Sequence, residues 1–436
     1  MNKKLFLQDV FNLLNKKTNY AVLRSFDGLP EDFKSRDIDI MIDRNDFKSF
    51  LTEFLSIINE HNYKIIKLKK TYKMYIFVLS YVNLDTNFID IIQFDFFFNT
   101  SIYGVEFLTS SEILDKKLFN GKIYHVSDEY QFLDKFLYTK ALNQDYPDKY
   151  QAIARKVKDS SHLSILLQKK FKVNSLSEIK NMSRRSYLLL MFKLGSNKNL
   201  FSKIVDIILF LKDCVSKESA KSIAFTGPDG AGKSTLIRNL MDILEPYHML
   251  SYKHFRPHII PNIGQVVSTL TGNKNINLDY SQPHRSKPKG MINSFCRMLY
   301  YSFDYLIGDY VERIRNSFSR SGEKNDIIFF DRYFTDIVVD SRRSSIFLPF
   351  KFIYNFYKAF IPKPDFVFFI TCDPEIILKR KQELKKEDID CMNFKIHSAL
   401  LHNSFLINNG KCEKHGVAQI MSIYADKVHA CNEKMI

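Results

Sequence analysis

The pattern of apolar and polar positions in the first third of the chain alternates between a helical and a strand period. Helices are predicted where apolar residues recur every three to four positions, from Leu5 to Asn15 and over DFKSFLTEFLSIINEH from Asp46. Strands are predicted for four segments, namely YAVLRSF, DIDIMID, TYKMYIFVLSYV and NFIDIIQFDFFF. The segment SDEYQFLDKFLYTKAL starts with a capping serine and predicts a closing helix that ends at Leu142.

A second mixed pattern begins near residue 218, after a stretch that shows only helical periodicity. Short apolar runs such as IIFF and FVFFI do not alternate with polar residues, and they are separated by segments of helical period. Such strands are typical of a parallel sheet that is covered by helices on both faces. We therefore predict an α+β domain over residues 1–142, a helical connector over residues 143–217 and a parallel α/β domain over residues 218–436.

Composition limits the classes of partner. The 436 residues are 45% hydrophobic, and 64 Lys and Arg outnumber 48 Asp and Glu for a formal charge of +16, which favours anionic partners. No basic and aromatic stripe predicts nucleic-acid binding, and no apolar run is long enough to predict a membrane span. The six cysteines lack metal-ligand spacing and the N-terminus lacks a cleavage site, so we expect a cytoplasmic protein.

The segment GPDGAGKST matches the phosphate-binding pattern GxxxxGK[ST] between a predicted strand and a predicted helix. Its glycines allow backbone N–H groups to surround phosphate oxygens at the start of a helix. Lys233 would reach the β and γ phosphates, and the Ser234 hydroxyl would bind Mg²⁺. The predicted cofactors are therefore ATP and Mg²⁺. The predicted nucleotide-binding residues are Gly227, Asp229, Gly230, Ala231, Gly232, Lys233, Ser234 and Thr235.

From about Lys221 to the C-terminus the chain resembles the thymidylate kinase family. GPDGAGKST resembles that family's phosphate loop, whose carboxylate, here Asp229, faces the acceptor sugar. HFRPHIIPNIG is similar to a segment that places Arg256 at the acceptor phosphate. FFDRYFTD resembles a signature that places Asp331 and Arg332 beside the reacting phosphates. The resemblance implies phosphoryl transfer from ATP to a nucleoside monophosphate (dTMP to dTDP), and a homodimer.

Further cations are expected around the migrating phosphoryl group. Because Ala231 precedes Gly232, the phosphate loop has no arginine of its own, and PDFVFFITCDPEIILKRKQE resembles the segment that leads into the family's lid. We predict that Arg380 acts there as a catalytic cation, with Arg297 on the long predicted helix as a further candidate for the acceptor phosphate. The other candidate lid cations are Lys379, Lys381, Lys385 and Lys386.

The residues after Arg332 differ from the thymidylate kinase pattern. The chain reads DRYFTDIVVDSRRSS, in which nothing matches the family's thymine-contacting residues. Asp336, Asp340, Arg342 and Arg343 instead suit a polyhydroxylated or phosphorylated acceptor. Two alternatives to a nucleoside monophosphate kinase therefore stay open: a carbohydrate kinase of surface polysaccharide assembly, and a non-catalytic nucleotide-binding regulator.

The segment SRDIDIMID carries the chemical signal of the first domain. Asp37 and Asp39 are two residues apart on a predicted strand, so their side chains share one face. With a third carboxylate, from Asp95 or less favourably Asp90, they predict a two-metal site. From Tyr20 to Leu142 the chain resembles nucleotidyltransferases of the polymerase β superfamily, although Arg24 and Ser25 stand where most members carry Gly-Ser. The resemblance implies a second, nucleotidyl-transferring activity.

Overall fold

The structure is a computed structural model that describes residues 3–158, 160–215, 220–255, 290–318, 325–381, 384–401, 403–410 and 412–436. The fold is mixed α/β, and its parallel sheet carries helices on both faces. The chain divides into two compact units. The first comprises Met1–Val82, Ile89–Ser216 and Ala425–Ile436, and the second comprises Asn83–Phe88 and Lys217–Tyr424.

A seven-stranded mixed sheet forms the centre of the first unit, in the order β3-β4-β5-β2-β1-β9-β8. A separate two-stranded sheet pairs β6 with β7. The strands are β1 (Tyr20–Val22), β2 (Asp37–Ile42), β3 (Lys64–Lys70), β4 (Met74–Asn83), β5 (Phe88–Phe97), β6 (Thr100–Ile102), β7 (Val105–Leu108), β8 (Leu118–Phe119) and β9 (Tyr124–His125). Strands β2 and β5 are parallel neighbours, and their register sets Asp39 opposite Asp95.

The helices of the first unit include all those between residues 143 and 215. They are α1 (Lys3–Lys17), α2 (Arg44–Glu60), α3 (Ser110–Leu114), α4 (Asp128–Leu142), a 3-10 turn (Asp148–Tyr150), α5 (Gln151–Val157), α6 (Ser161–Phe171), α7 (Leu176–Asn181), α8 (Arg184–Leu194) and α9 (Leu200–Val215).

Successive side chains of the central strands pack into two different hydrophobic cores. Ile38 and Ile40 of β2 lie in a core that is rich in phenylalanine from α1 and α2, whereas Met41 lies in a second core. That second core also contains Phe171 of α6 and Tyr187 of α8. Because successive side chains of a strand point to opposite faces, Asp37 and Asp39 share the face of Met41.

The second unit is built on five parallel strands in the order β11-β12-β10-β13-β14. The strands are β10 (Lys221–Thr226), β11 (Leu250–His254), β12 (Ile327–Asp331), β13 (Phe366–Thr371) and β14 (Ser404–Asn408). The helices are α10 (Lys233–Leu244), α11 (Met291–Phe318), α12 (Phe334–Val339), a 3-10 turn (Ser341–Ser344), α13 (Phe350–Phe360), α14 (Pro374–Arg380), α15 (Lys386–Ser398) and α16 (Glu413–Glu433).

Parallel strands bring their carboxyl ends to one edge of the sheet, where α/β proteins bind their ligands. The phosphate-loop sequence follows β10, Asp331 ends β12, and Asn409 follows β14. These segments therefore meet at one edge. Among the helices in the described part of the chain, none combines the length and the apolarity that a membrane span requires.

Candidate functional site

The loop between β10 and α10 has a backbone that favours glycine, as Gly227 and Gly232 illustrate. Gly227 and Gly232 have φ of 157° and 91°. A Cβ on Gly227 would lie 2.2 Å from the carbonyl oxygen of Ile370, and one on Gly232 would lie 2.5 Å from Nδ2 of Asn409. The loop is thus packed tightly against the end of β13 and against Asn409, which follows β14.

Lys233, the first residue of α10, lies over the loop with 5% of its surface exposed. Its Nζ donates to the carbonyl oxygens of Gly227 at 2.7 Å and Pro228 at 2.9 Å. Burial and the nearby charge of Arg332 lower the pKa of Lys233 to about 8, against the opposing effect of Asp229, whose Oδ1 is 3.7 Å away. The ammonium group therefore sits where phosphate oxygens could replace the two carbonyl acceptors.

Ser234 and Asp331 form a direct pair at the start of α10 and the end of β12. The Ser234 hydroxyl donates to Oδ2 of Asp331 at 2.6 Å, and the Tyr252 hydroxyl donates to the same oxygen at 2.9 Å. Burial opposes ionisation of Asp331, but hydrogen bonds from His254 and Ser234 and the charge of Lys233 hold its pKa well below the usual value. A hydroxyl and an ionised carboxylate are hard oxygen donors of the kind that Mg²⁺ takes, so this pair fits the ion.

The carboxylate of Asp229 is held by two arginines. Arg332 Nη2 donates to its Oδ1, and Arg343 Nη1 donates to its Oδ2. Arg332 also donates through Nη1 to Oδ2 of Asp336 at 2.6 Å. Burial disfavours the charge of Asp229, but Arg332, Lys233 and Arg343 outweigh that effect and lower its pKa. Arg332 has a φ of 78°, a strained conformation for a residue other than glycine, and such strain is common at functional sites.

The helix that carries two of the predicted lid cations, Lys379 and Arg380, ends beside the phosphate loop. Arg380 Nη1 lies 3.9 Å from the position of a Cβ on Gly232, and the Cβ of Lys381 lies 3.3 Å from the equivalent position on Gly230. The Asp373 side chain caps this helix, α14, by accepting from the Glu375 N–H. The guanidinium group of Arg380 is therefore close to the first turn of α10.

Of the two arginines predicted to bind the acceptor phosphate, only Arg297 lies in the described part of the chain. Arg256 lies outside the described residues. Arg297 is on α11, where its Nε donates to the Asn293 side chain of the same helix at 3.0 Å. Within the described residues, no hydrogen bond or ion pair connects Arg297 to the cluster around Asp229.

Asn409 is a residue of this site that the sequence did not reveal. Its Nδ2 donates to the carbonyl oxygen of Ala231 at 2.8 Å, and its N–H donates to the carbonyl oxygen of Thr371. Asn409 thus ties the phosphate loop to the ends of two strands. Only its place after β14 could have signalled this, and β14 was not predicted.

In the first unit, the structure brings together the three predicted metal-ligating carboxylates. One oxygen from each of Asp37, Asp39 and Asp95 lies within 4.8 Å of the others. Burial and the neighbouring Asp39 raise the pKa of Asp95. Asp90 lies elsewhere, because its carboxylate pairs with Lys3 at 3.0 Å and accepts from the Tyr63 hydroxyl.

A guanidinium group already engages the central carboxylate of this cluster. Arg24 donates through Nε to Oδ2 of Asp39 at 2.6 Å and through Nη2 to its Oδ1 at 3.0 Å. Its Nη1 donates to buried Asp134 at 2.9 Å. Both oxygens of Asp39 therefore already accept from a cation supplied by the protein, and the two-metal centre stays a prediction.

Comparisons with known proteins give similarity to solved kinase structures. No protein-family model matches the chain, and no curated protein matches its sequence. A thymidylate kinase from Candida albicans is 19% identical, with a TM-score of 0.35 over 49% of this chain and 95% of that one. A thymidylate kinase from Ehrlichia chaffeensis is 16% identical and a deoxyadenosine kinase from M. mycoides is 15% identical. Both have a TM-score of 0.30 over 47% of this chain and 99% of theirs.

Proposed function

We propose that the second unit catalyses phosphoryl transfer from ATP to a small-molecule acceptor, with Mg²⁺ as the cofactor. The observation that carries this proposal is the convergence of Lys233, the Ser234–Asp331 pair and Arg380 on one glycine loop. Phosphoryl transfer needs positioned positive charge and a metal site more than it needs a covalent nucleophile. These residues provide both.

On the donor side, each residue has a defined task. Phosphate oxygens would take the place of the Gly227 and Pro228 carbonyl oxygens as acceptors for Lys233 Nζ. Ser234 and Asp331 would hold Mg²⁺, which when bound neutralises charge on the β and γ phosphates. Arg380 would supply the further cation that the loop itself lacks, because its guanidinium group lies beside Gly232.

On the acceptor side, the sequence resemblance favours a nucleoside monophosphate, with conversion of dTMP to dTDP as the reference reaction. Asp229 and Arg332 are the residues that the resemblance assigns to the acceptor, and they are ion-paired with each other and with Arg343 and Asp336. The charged residues after Arg332 support the second acceptor class, a carbohydrate.

A transfer assay with radiolabelled ATP tests the proposal. The full-length protein should transfer the γ-phosphoryl group to an acceptor only when Mg²⁺ is present. Replacing Ser234 by Ala removes a hydroxyl that holds the metal and should lower the rate about tenfold or more. The control Ser398→Ala alters an exposed hydroxyl and should leave the rate unchanged. Binding of ATP without transfer to any acceptor would instead support the nucleotide-binding regulator.

A further inference from the structure

Helix α9 of the first unit leaves a stripe of large apolar side chains exposed to solvent. Phe201, Ile204, Ile208 and Leu211 follow one another at spacings of three and four residues, so they lie along one side of the helix. These four residues and Leu200 at the start of the helix are each between 45% and 76% exposed. Single exposed apolar residues are ordinary, but a contiguous exposed patch marks an interaction site. This apolar stripe is therefore a candidate binding surface.

A different side of α9 holds the helix against the rest of the first unit. The ring of Phe210 lies edge-on to that of Tyr103, with the ring centroids 5.8 Å apart. Ile207 lies so close to Gly104 that a Cβ on this glycine would be 2.5 Å from the Ile207 Cα. The apolar stripe lies on the side of the helix that this packing leaves uncovered.

The two acidic residues of α9 belong to the packed side. Asp206 Oδ2 pairs with Lys198 Nζ at 2.7 Å, and Asp213 Oδ2 accepts from the Tyr72 N–H at 2.9 Å. Both aspartates are half-buried. Their negative charges therefore lie with the packed side of the helix and not with the apolar stripe.

Exposed lysines lie near both ends of the apolar stripe. Lys212 follows Leu211 and is exposed. Lys193, near the end of α8, is also exposed, and its carbonyl oxygen accepts from Lys203 Nζ at 3.2 Å, which places it beside the start of α9. An apolar stripe edged by basic residues is typical of a helix that lies in a membrane surface, where lysines meet anionic headgroups. The formal charge of +16 favours the same partner.

We propose that α9 docks the first unit onto an anionic phospholipid surface, with the helix lying parallel to that surface. From Phe201 to Leu211 the apolar stripe is about 15 Å long, and its side chains would enter the boundary between headgroups and acyl chains. A second copy of the chain is the less favourable occupant, because a twofold interface sets a patch against itself and would bring like charges together. The inference concerns the first unit and does not rest on the proposed kinase activity.

Sedimentation of the full-length protein with phospholipid vesicles tests the inference. Binding to phosphatidylcholine vesicles with about 30% phosphatidylglycerol should be at least about tenfold stronger than to phosphatidylcholine alone, and should weaken between about 0.1 M and about 0.5 M NaCl. Leu211→Glu places a negative charge in the apolar stripe and should lower binding to the anionic vesicles by about tenfold or more. Leu118→Glu on β8 is the matched control, because the two leucines are 54% and 49% exposed, and it should bind like the unaltered protein.

Tryptophan fluorescence locates the contact. The chain contains no tryptophan, so Phe201→Trp provides a single reporter in the apolar stripe and Phe119→Trp provides one on β8. Anionic vesicles should shift the emission of the Phe201→Trp protein to shorter wavelength, because its indole ring leaves water. The emission of the Phe119→Trp protein should stay unchanged.

Two results would overturn the inference. Vesicle binding that Leu211→Glu leaves intact would place the membrane contact on another surface. Absence of binding to the anionic vesicles would exclude a membrane contact, and a dimer that Leu211→Glu dissociates in sedimentation velocity would then assign the apolar stripe to a second copy of the chain.

Discussion

Asp229 in the phosphate loop and Lys233 at the start of α10 are four residues apart, and their partners were only partly predictable from the sequence. The glycine pattern and its place between a strand and a helix predicted the loop, since those features are local. The pairing of Asp229 with Arg343 joins residues 114 positions apart, and no spacing rule gives it. The same holds for Arg24 and Asp134, which are 110 positions apart.

Arg24 leads to a prediction about metal binding by the first unit. With Arg24 present, we expect Mn²⁺ to bind this unit only weakly, because both Asp39 oxygens are engaged. Arg24→Ala removes the guanidinium group and leaves several buried carboxylates uncompensated, so Mn²⁺ affinity should rise by about tenfold or more. Electron paramagnetic resonance of nucleotide-free protein measures the bound ion.

The matched control for this prediction is Arg24→Lys, which retains one positive charge and should not gain affinity. The additional substitution Asp95→Asn in the Arg24→Ala protein should remove the gained site. Tight Mn²⁺ binding by the unaltered protein that Asp95→Asn abolishes would contradict the expectation.

Asn409 gives a second prediction at the residue scale. Asn409→Ala deletes the hydrogen bond to the Ala231 carbonyl oxygen and the contact with Gly232, so the phosphate loop loses a support. We expect the KM for ATP to rise about tenfold and the free energy of unfolding to fall by about 1 kcal/mol. Steady-state kinetics and denaturant titration measure the two effects. An unchanged KM would mean that Asn409 does not position the loop.

At the scale of elements, most of the central strands were predictable and several edge strands were not. The predicted segments DIDIMID, NDIIFFD and PDFVFFITCD became β2, β12 and β13, and the long predicted helix became α11 with the same bounds. In contrast, β3, β11 and β14 were not predicted, and each lies at the edge of its sheet. Edge strands are half exposed and carry polar residues, so they lack the apolar run that marks a buried strand.

The edge strand β3 is covered by side chains near the C-terminus of the chain. The Ile65 N–H donates to Nδ1 of His429 at 3.1 Å, and the Ile65 carbonyl oxygen accepts from Asn432 Nδ2 at 2.9 Å. Two side chains of the first unit thus replace the neighbouring strand that an edge lacks.

His429 gives a prediction of pH dependence. Burial lowers the pKa of His429 below its usual value, and protonation of Nδ1 would remove the acceptor for the Ile65 N–H. The unfolded chain therefore binds more protons than the folded one as the pH falls below about 6.5. The stabilising contribution should be complete above that pH and decrease below it, by at most about 1.4 kcal/mol per pH unit. Urea titrations at pH 7.5 and 5.5 measure it.

His429→Gln is the control, since its side chain offers an acceptor that does not titrate in this range. The difference in unfolding free energy between the two proteins should shift in favour of the variant at the lower pH. A difference that stays the same at both pH values would exclude this role of His429.

On the scale of the whole molecule, the sites of the two units were predictable from the sequence to different degrees. The second unit carries a continuous set of motifs, and its parallel strands bring those motifs to one edge. In the first unit, the three carboxylates come together as the strand register requires, but Arg24 changes what they can bind. Motif spacing predicted the placement of those carboxylates, whereas their charge partner depends on the tertiary fold.

The net charge of the whole chain can be compared with the charges of the side chains around Asp229. The chain carries a formal charge of +16, whereas the ion pairs around Asp229 join three cations, Lys233, Arg332 and Arg343, to two carboxylates, Asp229 and Asp336. The surplus positive charge of the protein is therefore not concentrated in this cluster.

The most direct test of the proposed kinase is the rate of phosphoryl transfer from ATP by the Lys233→Ala variant. Lys233 is buried over the phosphate loop, and its ammonium group is the cation that we assign to the β and γ phosphates. Its removal should lower kcat/KM by about 1,000-fold, while Lys351→Ala, which alters an exposed lysine of α13, should leave it unchanged. A Lys233→Ala protein that transfers phosphate within tenfold of the unaltered rate would contradict the proposed site.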